Sequence, residues 1–191
     1  MEKKSLVLAF MGSILFWCCQ NDDNGLPQPP QFSITGNTAN GTATYGQTVF
    51  DGGSNGNINV FDRTDRSLYL QTFKNGKDDL EGFWTIRING LDIENLSTPY
   101  ALTGVEGSIT WVDESVKPLQ QPCSAADVLC FYSGVGVDEV TITITEVEDG
   151  VISGTFKGSL YHIRVNPSVI RDTGDLVEVT EGSFSMRFTS R

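Results

Sequence analysis

Short runs in which apolar and polar residues alternate recur along the body of the chain. Between residues 83 and 89 the apolar side chains Trp84, Ile86 and Ile88 share one parity, and between residues 140 and 145 apolar residues alternate with threonines. A period of two places successive side chains on opposite faces of an extended strand. These runs therefore predict strands with one buried and one exposed face.

Turn signals separate the alternating runs. Pairs such as Asn40-Gly41, Asn89-Gly90 and Asp149-Gly150 favour tight turns, because Asn, Asp and Gly tolerate positive φ. The pattern predicts strands in residues 44–50, 58–61, 68–73, 83–89, 108–112, 129–133, 140–145, 152–165, 176–179 and 184–188. About ten short strands at this spacing indicate an all-β fold, either a single antiparallel β-sandwich or a flattened barrel.

Residues 140–165 predict a hairpin that turns at residues 148–150. On its return limb the apolar parity is first that of Ile152, and after Gly158 it becomes that of Ile163. An extra residue on one strand causes such a change of parity. We therefore predict a β-bulge near Gly158.

The chain begins with a pattern typical of an export signal. Lys3 and Lys4 precede an apolar run from Leu6 to Trp17. This run is shorter than the roughly 20 apolar residues that a helix needs to cross the hydrocarbon core of a bilayer. We expect residues 1–18 to be a signal peptide and not a membrane-spanning segment.

The apolar run ends in Cys18-Cys19, and polar and acidic residues follow at once. Here the chain resembles a bacterial lipoprotein precursor, in which a cysteine directly after the apolar segment receives a diacylglycerol and becomes the new N-terminus. The resemblance implies lipidation of Cys19, since cleavage then follows the small Cys18. Lipidation of Cys18 is the alternative, with cleavage after the bulky Trp17.

The segment Gln20-Asn21-Asp22-Asp23 resembles the acidic export signal of surface lipoproteins of the Bacteroidota. That resemblance implies display on the outer face of the outer membrane, with the lipid as the membrane contact. Residues 19–31 are rich in Asp, Asn, Gln and Pro, a composition typical of a flexible linker. We expect an acidic, Pro-rich tether at 19–31 and a β-sandwich domain at 32–191.

Three segments follow one another in the second half of the chain: VTITIT at 140–145, VISGTF at 151–156 and VTEGSF at 179–184. Together with the N-terminal anchor, they resemble a group of uncharacterised outer-membrane surface lipoproteins of the Bacteroidota. The resemblance implies the location and a β-rich fold. It implies no activity, because none is assigned to that group.

The charge of the chain is strongly acidic, with a formal net charge of −11 at pH 7. Removing residues 1–18 takes away Glu2, Lys3 and Lys4, which moves the charge to −12 and leaves 173 residues, a suitable length for one domain. A protein of this charge is repelled by nucleic acid and by anionic lipid head groups. We therefore expect no nucleic-acid partner.

Two cysteines lie outside the signal region, Cys123 and Cys130. In an oxidising compartment they predict a disulfide that closes a small loop. The segment from Ser124 to Asp127 also suits the first turn of a helix. A regular helix would hold the two Cα atoms about 10 Å apart, beyond the roughly 7 Å that a disulfide tolerates. The bridge and the helix are therefore alternatives, and we favour the bridge.

The residue types needed for catalysis or soft-metal binding are scarce. His162 is the single histidine, and its parity is opposite to that of Tyr161 and Ile163, which predicts a solvent-facing side chain. One histidine and two cysteines are too few for a typical zinc site. Loops 51–59 and 75–81 carry many oxygen ligands without the spacing of an EF-hand. We predict no metal, cofactor or catalytic residue.

Aromatic side chains are the strongest signal for ligand binding. Trp84 shares parity with Ile86 and Ile88 and is predicted to lie in the core. Trp111 is close to the acidic end of its strand and is predicted to be partly exposed, and Tyr100 is a second candidate. Stacking of Trp111 and Tyr100 on sugar rings is the corresponding hypothesis.

The sequence thus predicts a non-enzymatic surface lipoprotein with a binding or envelope-associated role. Two alternatives stay open. The first is a glycan-binding accessory lipoprotein of a nutrient-uptake system. The second is a hydrolase that uses a pair of its many carboxylates, whose separation the sequence does not reveal.

Overall fold

The computed structural model describes residues 32–47, 59–74, 82–102, 106–113, 129–136, 138–165 and 169–191. The predicted signal peptide, the tether, Cys19 and Cys123 lie outside these residues, so lipidation and the disulfide stay predictions. Among the described residues, no helix has the length and apolar character needed to cross a membrane.

The described chain is built almost entirely of β-strands, which confirms the predicted all-β class. The strands are β1 (Ser33–Thr38), β2 (Gly41–Gly46), β3 (Val60–Asp62), β4 (Ser67–Phe73), β5 (Gly82–Ile88), β6 (Tyr100–Ala101), β7 (Gly107–Asp113), β8 (Leu129–Val135), β9 (Val140–Glu148), β10 (Val151–Val165), β11 (Val169–Arg187) and β12 (Thr189–Ser190). One short 3₁₀ turn, Ile93–Asn95, interrupts them.

The strands form one sheet that closes on itself. Its order is β11-β1-β2-β4-β5-β7-β8-β10, and β10 pairs in turn with β11. This is the flattened-barrel alternative, since eight strands make a closed ring. β9 and β6 extend the sheet beyond the first half of β10, while β3 pairs with β4 and β12 pairs with β3. All pairings are antiparallel except that of β3 with β12.

The interior of the ring is one hydrophobic core. Its inward positions alternate along each strand, as the period of two predicts. Fully buried members include Ile34, Leu68, Leu70, Trp84, Ile86, Ile88, Ile109, Trp111, Ile142, Ile144, Ile152, Leu160 and Met186. The predicted core position of Trp84 is confirmed.

A register shift occurs beside Gly158, as predicted, but the extra residue is on the partner strand. Thr180 and Glu181 of β11 together lie opposite Lys157 of β10. The buried positions of β11 accordingly change parity there, whereas those of β10 keep one parity through the same region. Gly158 itself has a φ of +145°, and a Cβ on it would lie 2.0 Å from the Glu139 carbonyl oxygen. Glycine is therefore required at this point.

Strand boundaries differ from the predictions where the hydrophobic pattern is weak. The predicted strands 176–179 and 184–188 are parts of the single long strand β11, which bends at its bulge instead of ending. The alternating pattern does not predict β1, because Ile34 is the one large apolar residue in this strand. Its other inward position is Gly36, which accommodates the ring of Trp84.

Candidate functional site

A row of aromatic side chains crosses the interior of the ring. We call it the aromatic row: Trp84 on β5, Trp111 on β7, Tyr132 on β8 and His162 on β10, each directly opposite the next. Successive ring centroids are 5.5, 6.1 and 5.5 Å apart, and the two indoles are stacked with an interplanar angle of 24°. Such contacts stabilise beyond the area that they bury.

The predicted exposure of Trp111 is wrong. Trp111 has the inward parity of Ile109 and is only 1 % exposed, because Trp84 and Tyr132 cover both sides of it. Tyr100 is half-buried on β6, at the end of the sheet path beyond β9. The structure therefore does not bring these two residues together as a platform on which a sugar could stack.

The predicted solvent exposure of His162 is also wrong. β10 keeps its parity past Gly158, so His162 faces inward and is 2 % exposed. Its Nδ1 lies 3.7 Å from the Asp175 carboxylate, which is equally buried, and the Tyr132 hydroxyl donates a hydrogen bond of 3.1 Å to Asp175. Burial and the neighbouring Asp175 raise the pKa of Tyr132.

Sequence reasoning missed Asp175, although a signal for it existed. Its parity matches that of Val177 and Val179, which are inward-facing residues of β11. Three residues of β11 are inserted between the partners of Tyr161 and His162, and Asp175 is the last of them. The Tyr132–Asp175–His162 cluster joins β8, β10 and β11 and lies away from solvent. Its geometry suits a buried polar contact that helps to hold the ring closed.

A second polar cluster lies where β2, β4 and β7 end. The Tyr45 hydroxyl donates a 2.7 Å hydrogen bond to Asp113, and the Lys74 ammonium lies 3.0 Å from the other oxygen of that carboxylate. Burial, followed by the contact with Asp113, raises the pKa of Tyr45. The Lys74 side chain runs over Gly82, where a Cβ would approach it to 3.1 Å. This cluster connects strands across one end of the ring.

Serine and threonine side chains line the outside of five adjacent strands. We call this surface the hydroxyl face, and its members are Ser33, Thr35, Thr42, Thr44, Thr141, Thr143, Ser153, Thr155, Ser183 and Ser185, all of them half-buried or exposed. One row of direct neighbours runs from Thr143 through Thr155, Ser183 and Thr35 to Thr44. The sequence shows these residues only as short alternating runs and does not reveal which runs are neighbours.

Hydrogen bonds between strands order part of the hydroxyl face. Thr35 and Thr44 share a hydrogen bond of 3.0 Å, and the Ser153 hydroxyl donates to that of Ser185 at 3.1 Å. Each hydroxyl has one donor and two acceptor positions, so members of these pairs keep capacity for a ligand. The surface is thus partly preorganised before anything binds.

Two open grooves indent this side of the molecule. The first has a volume of about 270 Å³ and is lined by Thr141, Thr143, Thr155, Phe156, Lys157, Thr180, Glu181 and Gly182. The second, of about 300 Å³, is lined by Glu146, Glu148, Asp149, Val151, Ser153 and Ser185. The carboxylates of Glu146 and Glu148 are exposed, as the end of a strand predicts.

Metal binding has no support in the described part of the chain, which contains no group of three or more His, Cys, Asp or Glu side chains placed to hold an ion. Of the oxygen-rich loops, residues 51–58 and 75–81 lie outside the described residues.

Comparison with known proteins adds no relative to this picture. No family model matches the chain, and no curated protein or solved structure matches it.

Proposed function

We propose that this chain is a lipid-anchored cell-surface protein that binds extracellular carbohydrate without transforming it. The location rests on the sequence features of the N-terminus: the basic start, the apolar run that ends in Cys18-Cys19, and the acidic residues that follow. A diacyl group on Cys19 anchors the protein in the outer membrane, and residues 19–31 tether the sheet to this anchor.

The hydroxyl face is the observation that carries the binding proposal. Ten serine and threonine side chains project from five adjacent strands, and several are already held by hydrogen bonds to one another. A polyhydroxylated ligand needs many donors and acceptors that alternate at short range, which hydroxyls supply directly or through bridging water. Because each contact is weak, we expect modest affinity that depends on several residues.

Binding rather than catalysis is proposed because of where the ionisable groups lie. The Tyr132–Asp175–His162 cluster is inside the ring, where a polysaccharide does not reach it. The side chains of the hydroxyl face are unactivated hydroxyls. These bind a ligand but do not by themselves supply an acid, a base or a nucleophile.

The test is affinity electrophoresis of the mature lipoprotein in gels that contain soluble polysaccharides. Thr44→Val and Ser183→Ala remove exposed hydroxyls from the face but lie outside both grooves, and we expect each to reduce retardation. Thr85→Val, on the outer face of β5, is the matched control and should migrate as the wild type. If no polysaccharide retards the wild-type protein, carbohydrate binding is excluded for that panel and the proposal fails.

Hydrolysis is a second candidate because of the acidic groove. Glu146, Glu148 and Asp149 line it together with Ser153 and Ser185, which also belong to the hydroxyl face. A ligand on that face would thus pass close to carboxylates. Release of reducing ends from a bound polysaccharide, abolished by Glu146→Gln or Glu148→Gln, would establish hydrolysis in place of simple binding.

A further inference from the structure

The first groove lies at the bulge between β10 and β11. Thr180 and Glu181 share the space opposite the single residue Lys157, which spreads the two strands and opens the surface beside them. Phe156 and Gly182, which lie directly opposite each other, contribute to its lining. The groove therefore lies at the register shift, within the hydroxyl face.

Two opposite charges line this groove without neutralising each other. Lys157 and Glu181 are both exposed, and neither takes part in an ion pair within the described structure, although five Lys or Arg residues there do. Lys157 offers three hydrogen-bond donors and Glu181 offers only acceptors. Thr141, Thr143 and Thr155 complete the polar lining.

This combination matches the chemistry of adjacent hydroxyl groups on a sugar ring. A hydroxyl can donate to the Glu181 carboxylate while its neighbour accepts from the Lys157 ammonium, and such charge-assisted hydrogen bonds are stronger than those between neutral groups. The volume of about 270 Å³ is at the lower limit of typical ligand pockets, which suits one sugar unit and not a longer segment.

The negative charge of the groove and of the chain favours neutral sugars over acidic ones. Glu181 lies in the groove, in a chain whose formal net charge is −11. A carboxylated or sulfated sugar would meet these charges with a single lysine in the groove to offset them. A neutral unit carries no such penalty.

We propose that the groove between Lys157 and Glu181 binds one neutral sugar unit of a neutral polysaccharide that lies across the hydroxyl face. The inference rests on the proposed carbohydrate-binding function and adds to it the class of ligand and the residues that select it. Lys157 donates, Glu181 accepts, and the threonines of β9 and β10 bind the remaining hydroxyls.

The experiment compares a neutral glucan, a neutral mannan and a polyuronate in affinity electrophoresis of the mature lipoprotein. We expect at least one neutral polymer to be bound and the polyuronate not to be. Lys157→Met and Glu181→Gln should each weaken binding about tenfold, the effect of losing one charge-assisted hydrogen bond. Arg87→Met and Glu178→Gln, at exposed strand positions outside the groove, should leave binding unchanged, with thermal melts confirming that all four variants fold.

The outcomes separate this inference from the function on which it rests. One outcome is that Lys157→Met and Glu181→Gln bind like the wild type while Thr44→Val and Ser183→Ala bind more weakly. In that case the hydroxyl face binds carbohydrate, but the groove is not its subsite. Tighter binding of the polyuronate than of either neutral polymer would overturn the choice of ligand class. Absence of binding to all three polymers would remove both proposals.

Discussion

Trp84 illustrates how closely single residues fit inside the ring. Its indole lies so near to β1 that a Cβ at position 36 would be 2.6 Å from Cζ2. On its other sides it stacks on Trp111 and meets the edge of Phe156 at a centroid distance of 5.6 Å. Because protein interiors are packed as densely as crystals, no side chain can be added at Gly36 without displacing the indole.

Gly36→Ala should therefore destabilise the protein by about 1–3 kcal/mol, the usual cost of overpacking a core. The measurement is urea denaturation followed by the fluorescence of the indoles. Ser33→Ala is the control, since its side chain is on the outer face of the same strand. Equal stability of the Gly36 variant and the wild type would mean that β1 moves away from Trp84 freely.

Tyr45 and Tyr132 predict a loss of stability in alkaline solution. Burial and a neighbouring carboxylate raise the pKa of each above that of an ordinary tyrosine, which is about 10. The contribution of each tyrosine to the free energy of unfolding is thus complete below pH ~10. It declines by about 1.4 kcal/mol per pH unit for each tyrosine as the pH rises through the raised pKa values. Denaturation midpoints between pH 8 and 12 provide the measurement.

Tyr45→Phe and Tyr132→Phe should each flatten that pH profile, while Tyr69→Phe, an exposed site, should not. The comparison uses the slope with pH and not the absolute stability, because removal of either buried hydroxyl also breaks its hydrogen bond to an aspartate. An unchanged slope in both buried variants would show that other groups cause the alkaline transition.

At the scale of elements, the junction of β2 with β4 has the shortest ladder of backbone pairs in the described part of the ring. Among the described residues, one pair alone joins these strands, Gly46 opposite Phe73. Trp84 reaches past β4 from β5, and its Nε1 donates a 3.2 Å hydrogen bond to the Ala43 carbonyl oxygen on β2. The indole thereby supplies a contact between elements that the backbone ladder does not make.

Trp84→Phe should cost about 0.5–1.5 kcal/mol for the lost hydrogen bond, in addition to the lost ring volume. Trp111→Phe removes the same ring volume from the neighbouring indole of the aromatic row, and it is the control for that loss. Hydrogen exchange should become faster in β2 for the Trp84 variant and not for the Trp111 variant. Equal protection of β2 in both variants would contradict a role for this bond at the junction.

For the whole molecule, the decisive prediction concerns the anchor. Cys19→Ala should abolish incorporation of labelled fatty acid and detach the protein from the outer membrane, whereas Cys18→Ala should leave the lipid in place. Mass spectrometry of the mature N-terminus is the measurement, and protease treatment of intact cells tests surface display. A lipid that persists in the Cys19 variant and disappears in the Cys18 variant would assign the other cysteine.

Much of the fold followed from local patterns, whereas most of the site did not. Alternation predicted β4, β5 and β7 almost to their ends, and it correctly assigned Trp84 to the core. It failed for Trp111 and His162, which both lie inside the ring. Proximity to an acidic strand end was a poor guide for Trp111, and for His162 the bulge was assigned to the wrong strand.

The sequence by itself determined that this chain forms β-strands, where many of its turns fall and which faces of most strands are buried, because alternation and turn chemistry are local properties. Only the tertiary structure decided which strands are neighbours. Closure of β10 against β11, the inward position of Asp175 and the assembly of hydroxyls from five strands all depend on pairing between distant residues. A period-two pattern shows which way a side chain faces, but it carries no information about what lies beside it.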